Sequence, residues 1–327
     1  MTAFPFFVCG GALLAALFLG LSARRWGVPG RAAERTLLIA LPLGAFLSHI
    51  FYAGLLANLE LTVNGFGFLF LPWAGGHMFY GAVAGALIAV LLVTRGQDRQ
   101  SRPRLMDLTS IALLLLIAAV RLGEPFDNSD GYGQGYGLIL EDMELLPVPW
   151  RTALCFVSDP EYMDEWYLAV FAFEALWALV SAVWVWRGLG ERKPGQSALL
   201  ALCLYAGGTM LFEFLRQDYT MRWRFVRLSQ LLSAILLAVV LLHATVRGGL
   251  RGKRAVGYWA GFLCCIGLVI AMEFADEKPL ILSDEVKIFF PHWVTYFSIL
   301  LGGAGAAVLA YRSHCRKPEH QQLYEAQ

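Results

Sequence analysis

Apolar residues in this chain run together instead of alternating with polar ones. Mostly apolar windows cover Phe6 to Leu21, Leu37 to Ala57, Ala74 to Val93, Met106 to Val120, Trp166 to Trp186, Ala198 to Phe214, Phe225 to Leu242, Val256 to Met272 and Phe290 to Ala310. Each has roughly the ~20 residues that carry a helix across a bilayer. The pattern predicts an all-α polytopic membrane protein with about nine transmembrane helices. Composition agrees: 58% of 327 residues are hydrophobic and 16% are charged, more apolar than a soluble core of that size requires.

A net charge of +1 hides a strong asymmetry between loops. Alternate loops hold Arg24, Arg25, Arg31 and Arg35, then Arg95, Arg99, Arg102 and Arg104, then Arg187, Arg192 and Lys193, then Arg247, Arg251, Lys253 and Arg254, then Arg312, Arg316 and Lys317. The other loops are acidic, with Asp127, Asp130, Glu141, Asp142, Glu144, Asp159, Glu161, Asp164, Asp276, Glu277, Asp284 and Glu285. Because Lys and Arg collect in cytoplasmic loops, the N-terminus is expected outside and the C-terminus in the cytoplasm. The first helix has arginines after it and no basic residues before it, the reverse of a secretory signal, so it is expected to remain in the mature chain.

The six cysteines offer no disulfide framework and no metal-ligand spacing, since Cys9, Cys203, Cys264 and Cys265 lie in apolar windows, Cys315 is inside and Cys155 outside. No metal, no cofactor and no nucleic-acid partner are expected. The long outer loop from Leu122 to Asp164 mixes Gly, Pro and acids with Tyr132, Tyr136, Trp150 and Phe156, which predicts a small ordered extracytoplasmic head. Its piece from Gly137 to Val148 has the pattern of an interfacial segment.

Candidate chemistry comes from polar residues that interrupt the apolar windows. Arg121 ends one of them and is followed by Gly123, Glu124 and Pro125, so the helix is expected to break with two charges at its mouth. Two readings fit Arg121, a ligand site and a side chain reaching lipid headgroups. Ser48, His49 and Tyr52 interrupt the second window; a lone His there is either an interhelical hydrogen bonder or a site residue. In Trp73-Ala-Gly-Gly-His-Met-Phe-Tyr-Gly81, His77 and Tyr80 are three apart and are expected on one helix face, amid glycines that permit close backbone approach. Glu174 is expected near the membrane middle, where a carboxylate needs a partner or water. Glu213 stands three and four residues before Arg216 and Gln217. Arg216, Arg222, Arg224 and Arg227 lie on the side where the charge rule disfavours them. They either bind an anion such as a phosphate or neutralise the acidic head.

In order along the chain these segments resemble the prolipoprotein diacylglyceryl transferase family of bacterial membrane enzymes. Arg24-Arg25, the Ile50 and Tyr52 region, Trp73 with Gly75-Gly76, and Met106-Asp107 at the opening of the fourth helix sit in the family's order. Arg121-Leu122-Gly123 looks like the start of its R-x-G-N-F-x-N-G-E signature. Phe173-Glu174-Ala175 is similar to the end of H-P-S-Q-L-Y-E-A, Glu213 to Gln217 resembles V-E-F-F-R-Q, and Leu228-Ser229-Gln230 stands for M-G-Q. The likeness runs from about Phe6 to Val246 and predicts a seven-helix transferase-like core over 1–247, with two further helices and a short tail over 248–327. Glu124 replaces the signature's Asn, Tyr80 its third-helix His, and Thr209 an Arg four residues before Glu213; His, Pro, Ser and Gln are missing ahead of Phe173, and His49 stands where the family tends to have Arg. The chain resembles a divergent member.

The resemblance implies transfer of a diacylglyceryl group from phosphatidylglycerol, or another anionic phospholipid, to the lipobox cysteine of a prelipoprotein, in the bacterial cytoplasmic (inner) membrane. It implies catalytic roles for His77, Tyr80, Glu174 and Glu213, and substrate binding by Arg121, Glu124, Arg216, Gln217, Gln230 and His49. The alternative is a catalytically lapsed member that binds lipid or a partner. A transporter is disfavoured because the unusual polar residues cluster toward the outer half.

Overall fold

The computed structural model describes residues 3–55, 70, 76–95, 101–126, 155–157, 166–216, 222–223, 226–246, 250–277, 280–283, 286–288 and 292–315. Among them run α1 (Phe4–Arg25), α2 (Gly30–Leu55), α3 (Phe79–Val93), α4 (Ser101–Gly123), α5 (Val170–Arg187), α6 (Gln196–Leu215), α7 (Leu228–Val246), α8 (Gly252–Glu277) and α9 (His292–Cys315). Eight of these are long and apolar enough to cross a membrane, and α3, with 15 residues, is a shorter apolar helix. The protein is all-α and polytopic, as its apolar windows predict. Most of the expected head over 122–164 lies outside the described residues, including Tyr132, Tyr136, Trp150 and the segment 137–148.

Among the described residues three antiparallel strand pairs interrupt the helical plan: β1 (Cys155–Val157) with β2 (Trp166–Leu168), β3 (Arg222–Trp223) with β4 (Val226–Arg227), and β5 (Leu280–Ser283) with β6 (Val286–Ile288). Two of them move helix starts. Residues 166–168 pair with β1, so α5 begins at Val170 and not at Trp166; β4 likewise delays α7 to Leu228. An apolar run cannot show this, because aromatic and β-branched residues are as much at home in a strand as in a lipid-facing helix.

The chain packs as two compact units, Met1–Ala201 and Leu202–Gln327, with the boundary inside α6. In the first, α4 is central and packs against α1, α3 and α5. Side chains sort by size more than by polarity: α1 buries Gly11, Ala15, Leu19 and Ala23 while it exposes Leu13, Leu14, Leu17 and Leu21. Where lipid tails are as apolar as leucine, helices associate by close fit and small residues mark the seam. The tightest seam joins α2 and α3, where a Cβ at Gly85 would lie 2.5 Å from the Cα of Gly44, and one at Gly81 would lie 2.3 Å from the carbonyl oxygen of Leu47. In the second unit α9 packs against α7 and α8. There a Cβ at Gly303 would meet the carbonyl oxygen of Gly207 at 2.8 Å.

Asp107, buried in α4, ties down the start of α6. Its Oδ2 accepts from the Gly195 N–H and its Oδ1 from the Ala198 N–H, both at 2.7 Å. A helix start has unpaired N–H groups and a positive dipole end, so a carboxylate from a neighbouring helix caps it well. Asp107→Ala should destabilise the fold by about 0.5–2 kcal/mol, the usual loss of a cap. Gly85→Leu should cost at least the ~1–3 kcal/mol of an overpacked contact. Gly20→Leu, where an added Cβ meets nothing within 4 Å, serves as the lipid-facing control. Melting of the three variants in detergent, followed by tryptophan fluorescence, checks these values; an unshifted Gly85→Leu would refute the helix contact.

Candidate functional site

Arg121 is the last charged residue of α4, which ends at Gly123 and passes into a 3-10 turn over Glu124–Phe126. The break predicted from Gly123 and Pro125 is therefore present. It is packed from behind: Phe7 of α1 stacks on Phe126 with ring centroids 5.3 Å apart, and a Cβ at Gly123 would lie 2.7 Å from that of Phe7. Glycine is needed at this position because α1 crosses so close.

The guanidinium is held by two carboxylates. Arg121 Nε lies 2.7 Å from Glu174 Oε2, and Arg121 Nη1 donates to Glu124 Oε1. All three side chains are 16% exposed or less, which makes the cluster a desolvated one. Helix ends assist it, since Arg121 stands at the C-terminal end of α4 and Glu174 one turn into α5, where the two macrodipoles favour a cation and an anion respectively. The count of nine residues from Glu165 that puts Glu174 near the membrane middle does not hold along the helix. It is the fifth residue of an 18-residue helix, because the preceding residues are taken into β2.

A second group forms where α2 meets the segment before α3. The Ser48 hydroxyl donates to Met78 O at 2.7 Å, the Met78 N–H donates to Ser48 O at 3.0 Å, and His49 Nδ1 lies 3.2 Å from Gly76 O, the distance of a donated hydrogen bond. These bonds hold residues 76–78 outside the helix, with Met78 extended, Gly76 at φ +70° and the Tyr52 ring filling the space a side chain would need. His77 consequently precedes the helix, and the expected one-face relation with Tyr80 does not hold. Its ring instead meets that of buried His49 edge-on, with centroids 5.9 Å apart. Tyr80 is buried at the start of α3, against the Phe79 ring.

The second unit holds a third group. Glu213, near the end of α6, and Arg216, just beyond it, are both buried. Arg227 Nη1 donates to Arg216 O, and the Arg227 guanidinium sits 5.7 Å from the Phe214 ring centroid. Gln230 Nε2 donates to Met210 O at 2.9 Å and to Glu273 Oε1 at 2.6 Å. Gln217 lies outside the described residues, as does Arg224, and the side chain of Arg222 is likewise not described. Of the expected residues, then, His49, His77 and Tyr80 form one group and Arg121, Glu124 and Glu174 another in the first unit, while Glu213, Arg216 and Gln230 belong to the second.

Asp107 and Glu273 matter more than the sequence reading shows. Asp107 was visible as a carboxylate in an apolar helix, a costly placement that asks for a partner. Glu273 was masked by its neighbours, because Asp276 and Glu277 make it look like part of a solvated helix end. Among the described residues no three His, Cys, Asp or Glu side chains gather as a metal site.

A family model described as prolipoprotein diacylglyceryl transferase matches residues 2–246. Among curated relatives, phosphatidylglycerol--prolipoprotein diacylglyceryl transferases of Streptococcus pyogenes serotype M5 (strain Manfredo) and serotype M49 (strain NZ131) are each 25% identical over 262 residues. That alignment covers 77% of this chain and 92% of the relative. The corresponding protein of serotype M1 matches to the same extent.

Removing one member of the Arg121 cluster should be graded by what remains. Arg121→Leu leaves the buried Glu174 carboxyl without its cation and beside the half-buried Glu124, and should cost the most, up to about 3–5 kcal/mol. Glu174→Leu leaves Arg121 with Glu124 and should cost less. Thermal melting in detergent measures the order; equal losses would mean that the carboxylates do not share the guanidinium.

Proposed function

This chain belongs to the prolipoprotein diacylglyceryl transferase family, and we propose that it transfers a diacylglyceryl group from phosphatidylglycerol, or a related anionic phospholipid, to the cysteine thiol of a prelipoprotein. The reading includes the bacterial cytoplasmic membrane as its location, an outward N-terminus and a cytoplasmic C-terminus, which the Lys and Arg distribution supports. It also includes a core of seven helices over 1–247, in keeping with the extent of the family match.

The observation that supports the chemistry most is the half-buried Arg121, a guanidinium fixed at a broken helix end by Glu174. In the proposed reaction the acceptor sulfur bonds to the terminal glyceryl carbon of the lipid, and the bond from that carbon to the phosphate oxygen breaks. The electron pair leaves with the glycerol phosphate, and the thiol proton passes to a base. A thiol of pKa about 8.5 reacts as thiolate, so the base and nearby cations set the rate. Phosphate binding, which must meet the charge that grows as the group leaves, is assigned to Arg121 with Glu174 orienting it in the first unit, and to Arg216 with Glu213 orienting it in the second. His77 or Tyr80 is assigned the proton. His49, Gln217 and Gln230 are assigned to substrate binding.

Glu124 modifies this scheme. It already occupies Arg121 Nη1, so a donor phosphate has to share or displace it. The competing reading, a lapsed lipid- or partner-binding protein, would draw on that occupancy, but the relatives' names favour an enzyme.

The test is purified protein with labelled phosphatidylglycerol and a lipobox peptide. Wild type should lipidate the peptide, and Arg121→Ala and Glu213→Gln should each lose about 100-fold or more in kcat/KM, the scale of a removed oxyanion donor. Absence of lipidation by wild type beside an active family member would overturn the transferase reading. Glu124→Ala, by freeing Arg121 Nη1, should lower KM for the anionic donor by about tenfold, which corresponds to ~1.4 kcal/mol.

A further inference from the structure

We propose that the helices beyond the family-matched residues complete the lipid site: Glu273 of α8 is a positioning residue that orients the side-chain amide of Gln230 so that its Oε1 accepts a hydrogen bond from a hydroxyl on the lipid headgroup. The inference rests on the transferase reading for the identity of the lipid, and on geometry for the rest.

The family match ends at residue 246, and α8 begins at Gly252. Glu273 nevertheless reaches a residue inside the match. It is 4% exposed, Gln230 is 2% exposed, and the distance from Gln230 Nε2 to Glu273 Oε1 is 2.6 Å. A side-chain amide has two N–H donors and one oxygen. Here both donors are engaged, by Met210 O and by Glu273 Oε1. Turning the amide over would set its oxygen against two acceptors, so a single orientation is stable. Without Glu273, only one acceptor would favour it.

That orientation leaves Gln230 Oε1 buried and with no hydrogen-bond donor among the described residues. A buried acceptor is costly to leave unmet, so its complement is a donor brought by a ligand. The same two helix ends carry the buried Arg216 and Arg227, joined by the bond from Arg227 Nη1 to Arg216 O. The two arginines are offset by the buried carboxylates Glu213 and Glu273, so a neutral hydroxyl meets the Gln230 oxygen without adding a further buried charge, which a headgroup ammonium would add. A neutral hydroxyl next to a single phosphate fits both the acceptor and the arginines. The chemical class is therefore a polyol phospholipid headgroup.

The test compares two lipids of equal charge, phosphatidylglycerol and phosphatidylmethanol, the latter without a headgroup hydroxyl. The full chain is equilibrated with equimolar amounts of both in detergent micelles, and the bound ratio is read by native mass spectrometry. Wild type should retain phosphatidylglycerol by about tenfold or more, because a site built to accept a hydroxyl rejects the analogue lacking it. Glu273→Leu should bring the ratio close to one, and Glu273→Gln, which still offers an oxygen to the Gln230 amide, should restore most of it. Gln230→Met removes the acceptor itself and should also give a ratio near one, so the idea stays testable if Glu273→Leu fails to fold. A wild type without preference, or a preference that survives in Gln230→Met, would overturn the proposal. Failure of peptide lipidation by a wild type that keeps its lipid preference would count against the transferase reading alone.

Discussion

A polar group inside an apolar bundle has no water to return to, and several in this protein are met by a partner from another element. Asp107 finds the exposed amides at the start of α6, Ser48 and His49 find the carbonyls of Met78 and Gly76, and Arg121 finds Glu174 and Glu124. In a soluble domain such contacts would compete with solvent and contribute little. Here the alternative is an unmet group in a medium that cannot solvate it, so the contacts decide where helices begin, end and touch.

The α2 and α3 seam shows how this shapes a site. Glycines at 44, 81 and 85 let the two backbones meet almost without side chains between them. Once that seam is closed, the residues before α3 have no room to continue a helix backwards, and Ser48 and His49 capture them outside the helix instead. His77 and His49 come ring to ring as a result. Packing of small residues thus sets the arrangement of the titratable ones.

The Arg121 cluster raises a different question, that of charge. One guanidinium shared by two carboxylates is a stable way to keep a cation in an apolar region, and it is also a less available cation. A family whose relatives handle an anionic phospholipid is here represented by a chain that has placed an acid, Glu124, beside its principal arginine. The second unit offers cations of its own, Arg216 and Arg227, of which Arg227 donates to a backbone carbonyl and lies over an aromatic face.

Sequence alone determined that this is an all-α membrane protein, that each apolar window holds a helix, that α4 breaks after Arg121, and, through the order of short motifs, the family. These are local properties: hydrocarbon thickness sets segment length, and Gly and Pro act on the residues beside them. What only tertiary structure decided is which polar residues meet. Glu174 and Arg121 are far apart in sequence, His77 left its helix because of a contact made by α2, and Glu273 looked like a helix end until Gln230 was seen against it. Periodicity carries no record of such encounters, because they depend on how closely two backbones approach, and that distance is set by glycines on other helices.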